Sequence, residues 1–145
     1  MYERSYGPKY EAGMDIKDIA KLVRKEIKAA IPGFKFSVSI KRFSGGRSLD
    51  AYLVDVPDGF SFWEANPDYF PGGFGWNASK IRYSEALREI NEKVKEIIAA
   101  YNYDGSEIMV DYFDVNFYSS VGVKFESPAY YKMNLQEAAL VEAAA

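Results

Sequence analysis

The sequence predicts a single α+β domain, residues 1–145, in which amphipathic helices pack on one face of a small antiparallel or mixed sheet. Two segments carry apolar residues at every third or fourth position, as amphipathic helices do. Two shorter neighbouring segments alternate apolar and polar residues, as half-buried strands do. The order of these segments lacks the strict strand–helix alternation of parallel α/β folds. A length of 145 residues is also usual for one domain.

The first predicted helix begins after Asp15 and ends before Pro32. Asp15 is a favourable N-cap, and Met14 and Ile19 have the spacing of a hydrophobic staple. Pro32 and the glycine after it stop the helix. The apolar residues that share its buried face are Ile16, Ile19, Ala20, Val23, Ile27 and Ala30. The cations on its other side are Lys17, Lys21, Arg24, Lys25 and Lys28.

A β-hairpin is predicted directly after this helix. The apolar positions of its two strands are Phe34, Phe36, Val38, Ile40, Leu49, Ala51 and Leu53. Gly45 and Gly46 predict a tight turn, because glycine adopts positive φ at little cost. A lone hairpin is marginal in water, so the sheet needs more strands. Alternation between Val115 and Phe125 predicts a long third strand beside the hairpin, with a shorter strand at 108–110 before it.

Three further segments complete the predicted domain. Residues 1–13 are expected to be an N-terminal arm whose tyrosines pack on the body. Ser84 is a favourable N-cap for a second amphipathic helix, which would pack on the same face of the sheet through the apolar residues between Leu87 and Tyr101. Residues 133–145 are compatible with a short C-terminal helix. Its anchors would be Leu135, Leu140 and Val141.

Composition excludes several kinds of active site. The chain contains no cysteine and no histidine, which removes disulfides, thiolate or histidine metal sites, and Ser-His or Cys-His triads. The densest carboxylate group is Asp104, Glu107, Asp111 and Asp114. Its spacing is not that of a calcium loop, so no metal is predicted, and neither a cofactor nor a small-molecule substrate is evident. The apolar runs are too short to span a membrane and no signal segment follows Met1, so a cytoplasmic location is expected.

Several runs of residues together resemble a known family. They are residues 19–28 (IAKLVRKEIK), 32–38 (PGFKFSV), 43–49 (FSGGRSL), 101–106 (YNYDGS) and 111–118 (DYFDVNFY). The lysine-rich helix followed by PGxKFSV and SGGxS is similar to the large polyvalent-protein-associated domains of phages and conjugative elements, over about residues 15–54 and 101–118. The resemblance implies a mobile-element protein in a bacterial host cell, similar to domains that accompany invading DNA and counter host defences. It brings no catalytic residues.

Residues 57–78 are the least regular segment, because glycines and prolines interrupt a dense set of aromatic residues. Loops this long are uncommon in compact domains and are often functional. Either the rings are buried on the body, or they contact a partner, since aromatic residues dominate binding hot spots. We predict a non-enzymatic module that binds a host or mobile-element protein. Its candidate contact residues are Phe62, Trp63, Glu64, Asp68, Tyr69, Phe70, Phe74 and Trp76.

Nucleic-acid binding is the alternative function, because residues 1–50 carry 11 Lys and Arg against 6 Asp and Glu. Its candidate residues are Lys17, Lys21, Arg24, Lys25, Lys28, Arg42 and Arg47. However, the first helix should cover the apolar strand face while Lys35 and Lys41 point away from it. The helix and strand cations are therefore expected on opposite sides of the sheet. A third alternative is a histidine-free enzyme that uses carboxylate chemistry.

Overall fold

The computed structural model describes residues 3–106 and 114–144, and it confirms the α+β class. The described helices are α1 (Ile16–Ala30), α2 (Glu85–Ala99) and α3 (Pro128–Ala144), with a 3-10 turn at Gly75–Ala78. The described strands are β1 (Ser5–Tyr6), β2 (Lys35–Phe43), β3 (Gly46–Asp55), β4 (Trp63–Ala65), β5 (Ile81–Tyr83), β6 (Tyr103–Asp104) and β7 (Tyr118–Val123). None of the described helices is both long enough and apolar enough to cross a membrane.

The central sheet has three strands in the order β2-β3-β7 and is mixed, as predicted. The hairpin strands β2 and β3 are antiparallel, whereas β7 lies parallel to β3, because the chain crosses over through α2 between them. The third strand ends at Val123, two residues before the predicted limit at Phe125. The chain turns after it, where the Ser127 N–H donates a 3.2 Å hydrogen bond to the Lys124 carbonyl and Glu126 adopts a positive φ of 60°. The predicted short strand at 108–110 lies outside the described residues.

All three helices pack against the apolar face of this sheet. The register places Val38, Ala51 and Val121 side by side on that face. Helices α1 and α2 bury their apolar stripes against its centre, as predicted. Helix α3 packs Ala129 beside Leu53. Each fully buried aliphatic side chain contributes about 1.5–3 kcal/mol, so this one face provides most of the driving force for folding.

Both predicted N-caps are present. The Asp15 carboxylate accepts a hydrogen bond of 2.9 Å from the Lys17 N–H, and Ser84 Oγ accepts one of 3.2 Å from the Leu87 N–H. Gly33, after α1, has a φ of +87°, a conformation in which glycine is favoured. These local signals mark the start of both helices and the end of α1.

Helix α3 starts at Pro128 instead of residue 133, which corrects the predicted boundary. Ser127 is its N-cap, because Ser127 Oγ accepts a 3.1 Å hydrogen bond from the Tyr130 N–H and proline is favoured at the first helical position. The predicted anchors Leu135, Leu140 and Val141 are exposed. The helix is held instead by Ala129, by an ion pair of 2.9 Å between Lys132 and Asp55, and by Gln136.

The N-terminal arm lies on the C-terminal end of α2. The Gly7 N–H donates to the Asn102 carbonyl and the Lys9 N–H to the Ala100 carbonyl, each at 2.8 Å. Strand β1 pairs with β6, and Arg4 forms a 2.8 Å ion pair with Asp114. The rings of Tyr6, Tyr10 and Tyr103 pack together with centroids 5.1–6.0 Å apart. The tyrosines therefore attach the arm to the body.

Gly7→Ala should detach this arm. A Cβ at this position would lie 2.4 Å from the carbonyl oxygens of Ala99 and Ala100, which belong to the backbone and cannot swing away. We expect the free energy of unfolding to fall by about 1–3 kcal/mol and the Lys9 amide to exchange with solvent much faster. Urea denaturation and hydrogen exchange measure the two effects. Gly45→Ala is the control, since its Cβ would meet only the Phe43 ring at 3.9 Å. Equal behaviour of the two variants would contradict this role of Gly7.

Candidate functional site

The aromatic loop is attached to the body at both of its ends. Phe62 is fully buried, and its N–H donates a 2.8 Å hydrogen bond to Gln136 of α3. Its ring makes an edge-to-face contact with Phe60, which contacts Phe34 in the same way. Strands β4 and β5 then pair antiparallel and bring the two ends of the loop together.

Asn66 organises the inside of the loop. The side chain is buried, and its amide donates to the carbonyl oxygens of Trp76 (2.6 Å) and Ser79 (2.9 Å). Its side-chain oxygen accepts a 3.1 Å hydrogen bond from the Asp68 N–H, and its own N–H donates to the Lys80 carbonyl at 2.9 Å. One amide side chain therefore ties together both halves of the loop.

The tip of the loop has its own backbone hydrogen bonds. The Phe70 N–H donates to the Asn77 carbonyl (3.2 Å), the Gly73 N–H to the Phe70 carbonyl (3.0 Å), and the Asn77 N–H to the Phe74 carbonyl (3.0 Å). A Cβ at Gly73 would lie 2.7 Å from the Asn77 carbonyl oxygen, so this close approach requires glycine. The segment from 66 to 80 is thus a closed, hydrogen-bonded structure.

Three aromatic rings project from this closed structure into solvent. Phe74 is 89% exposed, Trp76 67% and Phe70 51%. We call these three residues the aromatic knuckle. Large apolar side chains that are exposed together mark interaction sites more often than isolated ones do.

The structure divides the eight candidate contact residues into two groups. The knuckle residues are exposed, and Asp68 is exposed beside them, 3.9 Å from Arg82. Phe62 is a core residue. Trp63 is half-buried and donates a 2.9 Å hydrogen bond from Nε1 to the Met133 carbonyl of α3. Tyr69 is also half-buried. The buried and half-buried rings support the loop and the exposed rings are available to a partner.

Glu64 is a structural anchor beneath the loop. Its carboxylate pairs with Arg82 at 2.7 Å and Arg88 at 3.2 Å, and it accepts the Glu85 N–H at the start of α2 at 2.5 Å. The hydrogen bond from Arg82 lowers the pKa of Glu64 below its usual 4.5; partial burial opposes this shift and the Glu85 N–H adds to it. Glu64 therefore joins the β4–β5 pair to α2.

The candidate residues for nucleic-acid binding, the alternative function, lie on α1 and on the hairpin. Lys17, Lys21, Arg24, Lys25 and Lys28 are all exposed on α1. Arg42 is exposed near the end of the hairpin. Arg47 is instead engaged, because its guanidinium donates to the Asn116 carbonyl (3.1 Å) and side-chain oxygen (2.6 Å).

A buried carboxylate that sequence reasoning missed lies on the polar face of the sheet. Asp50 is 4% exposed and accepts hydrogen bonds from Ser48 Oγ (3.0 Å) and Ser120 Oγ (2.8 Å). The Tyr52 hydroxyl lies 2.8 Å from the Ser120 hydroxyl. The only sequence signal was alternation, which placed Asp50 on the polar face but also suggested that water would surround it. The network links β3 to β7.

The other carboxylates do not converge on a metal site in the described part of the chain. Asp114 pairs with Arg4, and the Asp104 carboxylate accepts a 2.8 Å hydrogen bond from the Ser106 N–H. Glu107 and Asp111, the other two members of the predicted carboxylate group, lie outside the described residues.

Comparison with known proteins finds a family match within the first half of the chain. Residues 14–68 match the family model of large polyvalent protein associated domain 29. This segment is similar to the large polyvalent-protein-associated domains, the family that the sequence motifs resemble. The match contains α1, the hairpin, Phe62 and Asn66, and extends past the predicted limit at residue 54 into the aromatic loop. It does not include 101–118, the second predicted segment of resemblance. No curated protein and no solved structure matches the chain.

Glu64→Gln should destabilise the protein in a pH-dependent way. Because the folded pKa of Glu64 is lowered, the stabilisation from its ionised form is present above the ordinary value of 4.5 and is lost as the pH falls through the folded pKa. We expect a lower Tm than the parent at pH 7 and convergence of the two at strongly acid pH. Thermal denaturation between pH 2 and pH 7, a range of about five units around the unfolded pKa, measures the difference. A difference in Tm between the variant and the parent that does not change with pH would contradict the ion-pair role of Glu64.

Proposed function

We propose that the chain is a non-enzymatic binding module of a phage or mobile genetic element and that it contacts a host or element-encoded protein through the aromatic knuckle. The match of residues 14–68 to a polyvalent-protein-associated domain supports the mobile-element setting. Interference with a host defence is the role that this setting favours. The knuckle provides the contact surface for that role.

One observation carries this proposal: the loop is held closed by hydrogen bonds while three of its aromatic side chains, those of the knuckle, point into water. A flexible loop would lose conformational entropy on binding, which reduces its affinity. A loop already fixed by Asn66 avoids much of that loss. Aromatic side chains bury 150–250 Å² each when they are covered, so Phe74 and Trp76 can act as anchors.

The division of the loop supports a separation of scaffold and contact surface. The family match ends at residue 68, after Phe62 and Asn66 but before Phe70, Phe74 and Trp76. The residues that build the base of the loop thus belong to the matched domain, and the exposed rings lie beyond it. The tip is the part that would determine which partner is bound.

The charges around the loop favour a protein partner over a nucleic acid. Asp68 and Glu64 are acidic, and Arg82 is already paired with Glu64 at 2.7 Å. Lys80 lies 5.9 Å from the Tyr69 ring centroid. The loop itself therefore offers little free positive charge to phosphates, whereas exposed rings with a polar rim are typical of protein interfaces.

Replacement of the knuckle should abolish partner binding without affecting the fold. The test variant is Phe74→Ser with Trp76→Ser, and the matched control is Leu135→Ser with Val141→Ser, since those α3 side chains are 72% and 58% exposed. We expect host or element proteins that are cross-linked to the parent chain to be lost only with the knuckle variant. For an isolated partner, the loss of two hot-spot residues should weaken binding roughly 100-fold or more.

The Tm of each variant separates binding from folding. Because both pairs are exposed, we expect little change in Tm relative to the parent. Equal retention of partners by the knuckle variant would contradict the proposal, as would equal loss with the α3 control. Global unfolding of the knuckle variant would place these rings in the folding core and would also overturn it.

A further inference from the structure

The cations of α1 lie on a single side of the helix. Successive helical residues are rotated by about 100°, so the five cations of α1 occupy one arc of roughly 100° that borders the buried stripe. Two acidic residues lie within the same run: Asp18 lies at the border of this arc, about 20° beyond Lys25, and Glu26 faces the other way. It pairs with Lys9 and accepts a hydrogen bond from the Tyr101 hydroxyl. Within the arc itself the helix therefore carries only cations, and Asp18 is the carboxylate beside it.

This basic side faces the open edge of the central sheet. Strand β2 is an edge strand, and Arg24 Nη2 donates a 2.9 Å hydrogen bond to the Val38 carbonyl in the middle of β2. A connection of only a few residues joins α1 to β2, so the two run antiparallel. Lys28 accordingly lies near the start of β2, where it borders a groove together with Lys35 and Phe36. The other α1 cations follow the edge toward the hairpin turn.

Strand β2 adds its own cations and backbone donors to this edge. Lys35, Lys41 and Arg42 are exposed along it. In an antiparallel pair, the N–H and the carbonyl of one residue point to the same side, and every second residue repeats that direction. Because the Val38 carbonyl points outward to Arg24, the N–H groups of Val38 and Ile40 also point away from β3. Backbone N–H groups are common ligands of phosphate oxygens.

These cations form no ion pair in the part of the protein that the structure describes; one of them, Lys35, lies opposite Asp55 in the register of the hairpin. Arg4, Lys9, Arg82, Arg88, Lys93, Lys95 and Lys132 all form ion pairs. In residues 3–106 and 114–144, by contrast, no cation between Lys17 and Arg47 does so. A chain with a net charge of −3 thus keeps a local concentration of free positive charge at one sheet edge. Such a patch attracts polyanions.

We propose that this edge binds the sugar-phosphate backbone of a nucleic acid, without reading its sequence. The residues of this basic edge are Lys17, Lys21, Arg24, Lys25, Lys28, Lys35, Lys41 and Arg42. The sequence-based expectation put the helix and strand cations on opposite sides of the sheet. Cations on opposite sides of the sheet can still border one edge, because β2 is the edge strand and the two groups lie above and below it. This surface is separate from the aromatic knuckle and goes beyond the proposed protein contact.

The shape of the basic edge favours a linear polyanion. Strand β2 has nine residues and is roughly 30 Å long at 3.3 Å per residue, and cations accompany it from Lys35 to Arg42. A continuous row of phosphates can contact many of them at once.

Fluorescence anisotropy with a labelled 20-base-pair duplex tests the proposal. The salt concentration is varied between 50 and 200 mM, because over this range a protein with about five phosphate contacts loses affinity by roughly 10²–10³-fold. The test variant is Lys21→Gln with Lys25→Gln. The control is Lys93→Gln with Lys95→Gln, which changes the net charge equally on the exposed side of α2. We expect the test variant to reduce the slope of log K against log salt by about 2 and the control to leave it unchanged.

Three outcomes would overturn the proposal. They are no binding at the lowest salt, equal losses from both variants, and equally tight binding of polyglutamate, which would assign the edge to acidic proteins. The knuckle variant Phe74→Ser with Trp76→Ser should bind the duplex as the parent does. Failure of the nucleic-acid proposal is therefore distinguishable from failure of the proposed protein contact.

Discussion

The single apolar face of the central sheet is the constraint on which the rest of the structure depends. Alternation along β2 and β3 directs Val38, Leu49 and Leu53 to one side, and that side must be buried. All three helices pack there because burial of the apolar side chains on this face stabilises the fold. The opposite face carries the buried Asp50 with its two serine hydroxyls. With the helices on one side and β7 beside β3, β2 remains at the edge next to the basic side of α1.

Two surfaces of different chemistry follow from this arrangement. The aromatic knuckle is an apolar surface on a loop that Asn66 closes and that Phe62 attaches to the core. The basic edge is a polar surface formed where α1 meets β2. Each uses residues that the core does not need, so replacement of exposed residues in either surface leaves the folding free energy almost unchanged. Together, the two proposals describe a module that contacts a protein through the aromatic knuckle and a nucleic acid through the basic edge.

Local signals made α1, α2 and the hairpin predictable from the sequence. Asp15, Ser84 and Pro32 mark helix ends by chemistry that acts within four residues, and periodicity marks the buried faces. The features that were missed depend on distant partners. Asn66 is an ordinary loop residue until its amide meets carbonyls ten and thirteen positions away. The sequence did not show that Trp76 is exposed and Phe62 is buried, because both lie in the same segment rich in aromatic residues and glycines.

The central claim is that the aromatic knuckle is exposed and yet rigid before any partner binds. Backbone ¹⁵N relaxation of the free protein tests it most directly, with α1 and α2 as internal references. We predict order parameters for the amides of Phe74, Trp76 and Asn77 that equal those of the helices, about 0.85. Replacement of Asn66 by alanine should lower them. Values below about 0.6 in the parent protein would mean that the loop is flexible in solution, and would contradict a preformed contact surface.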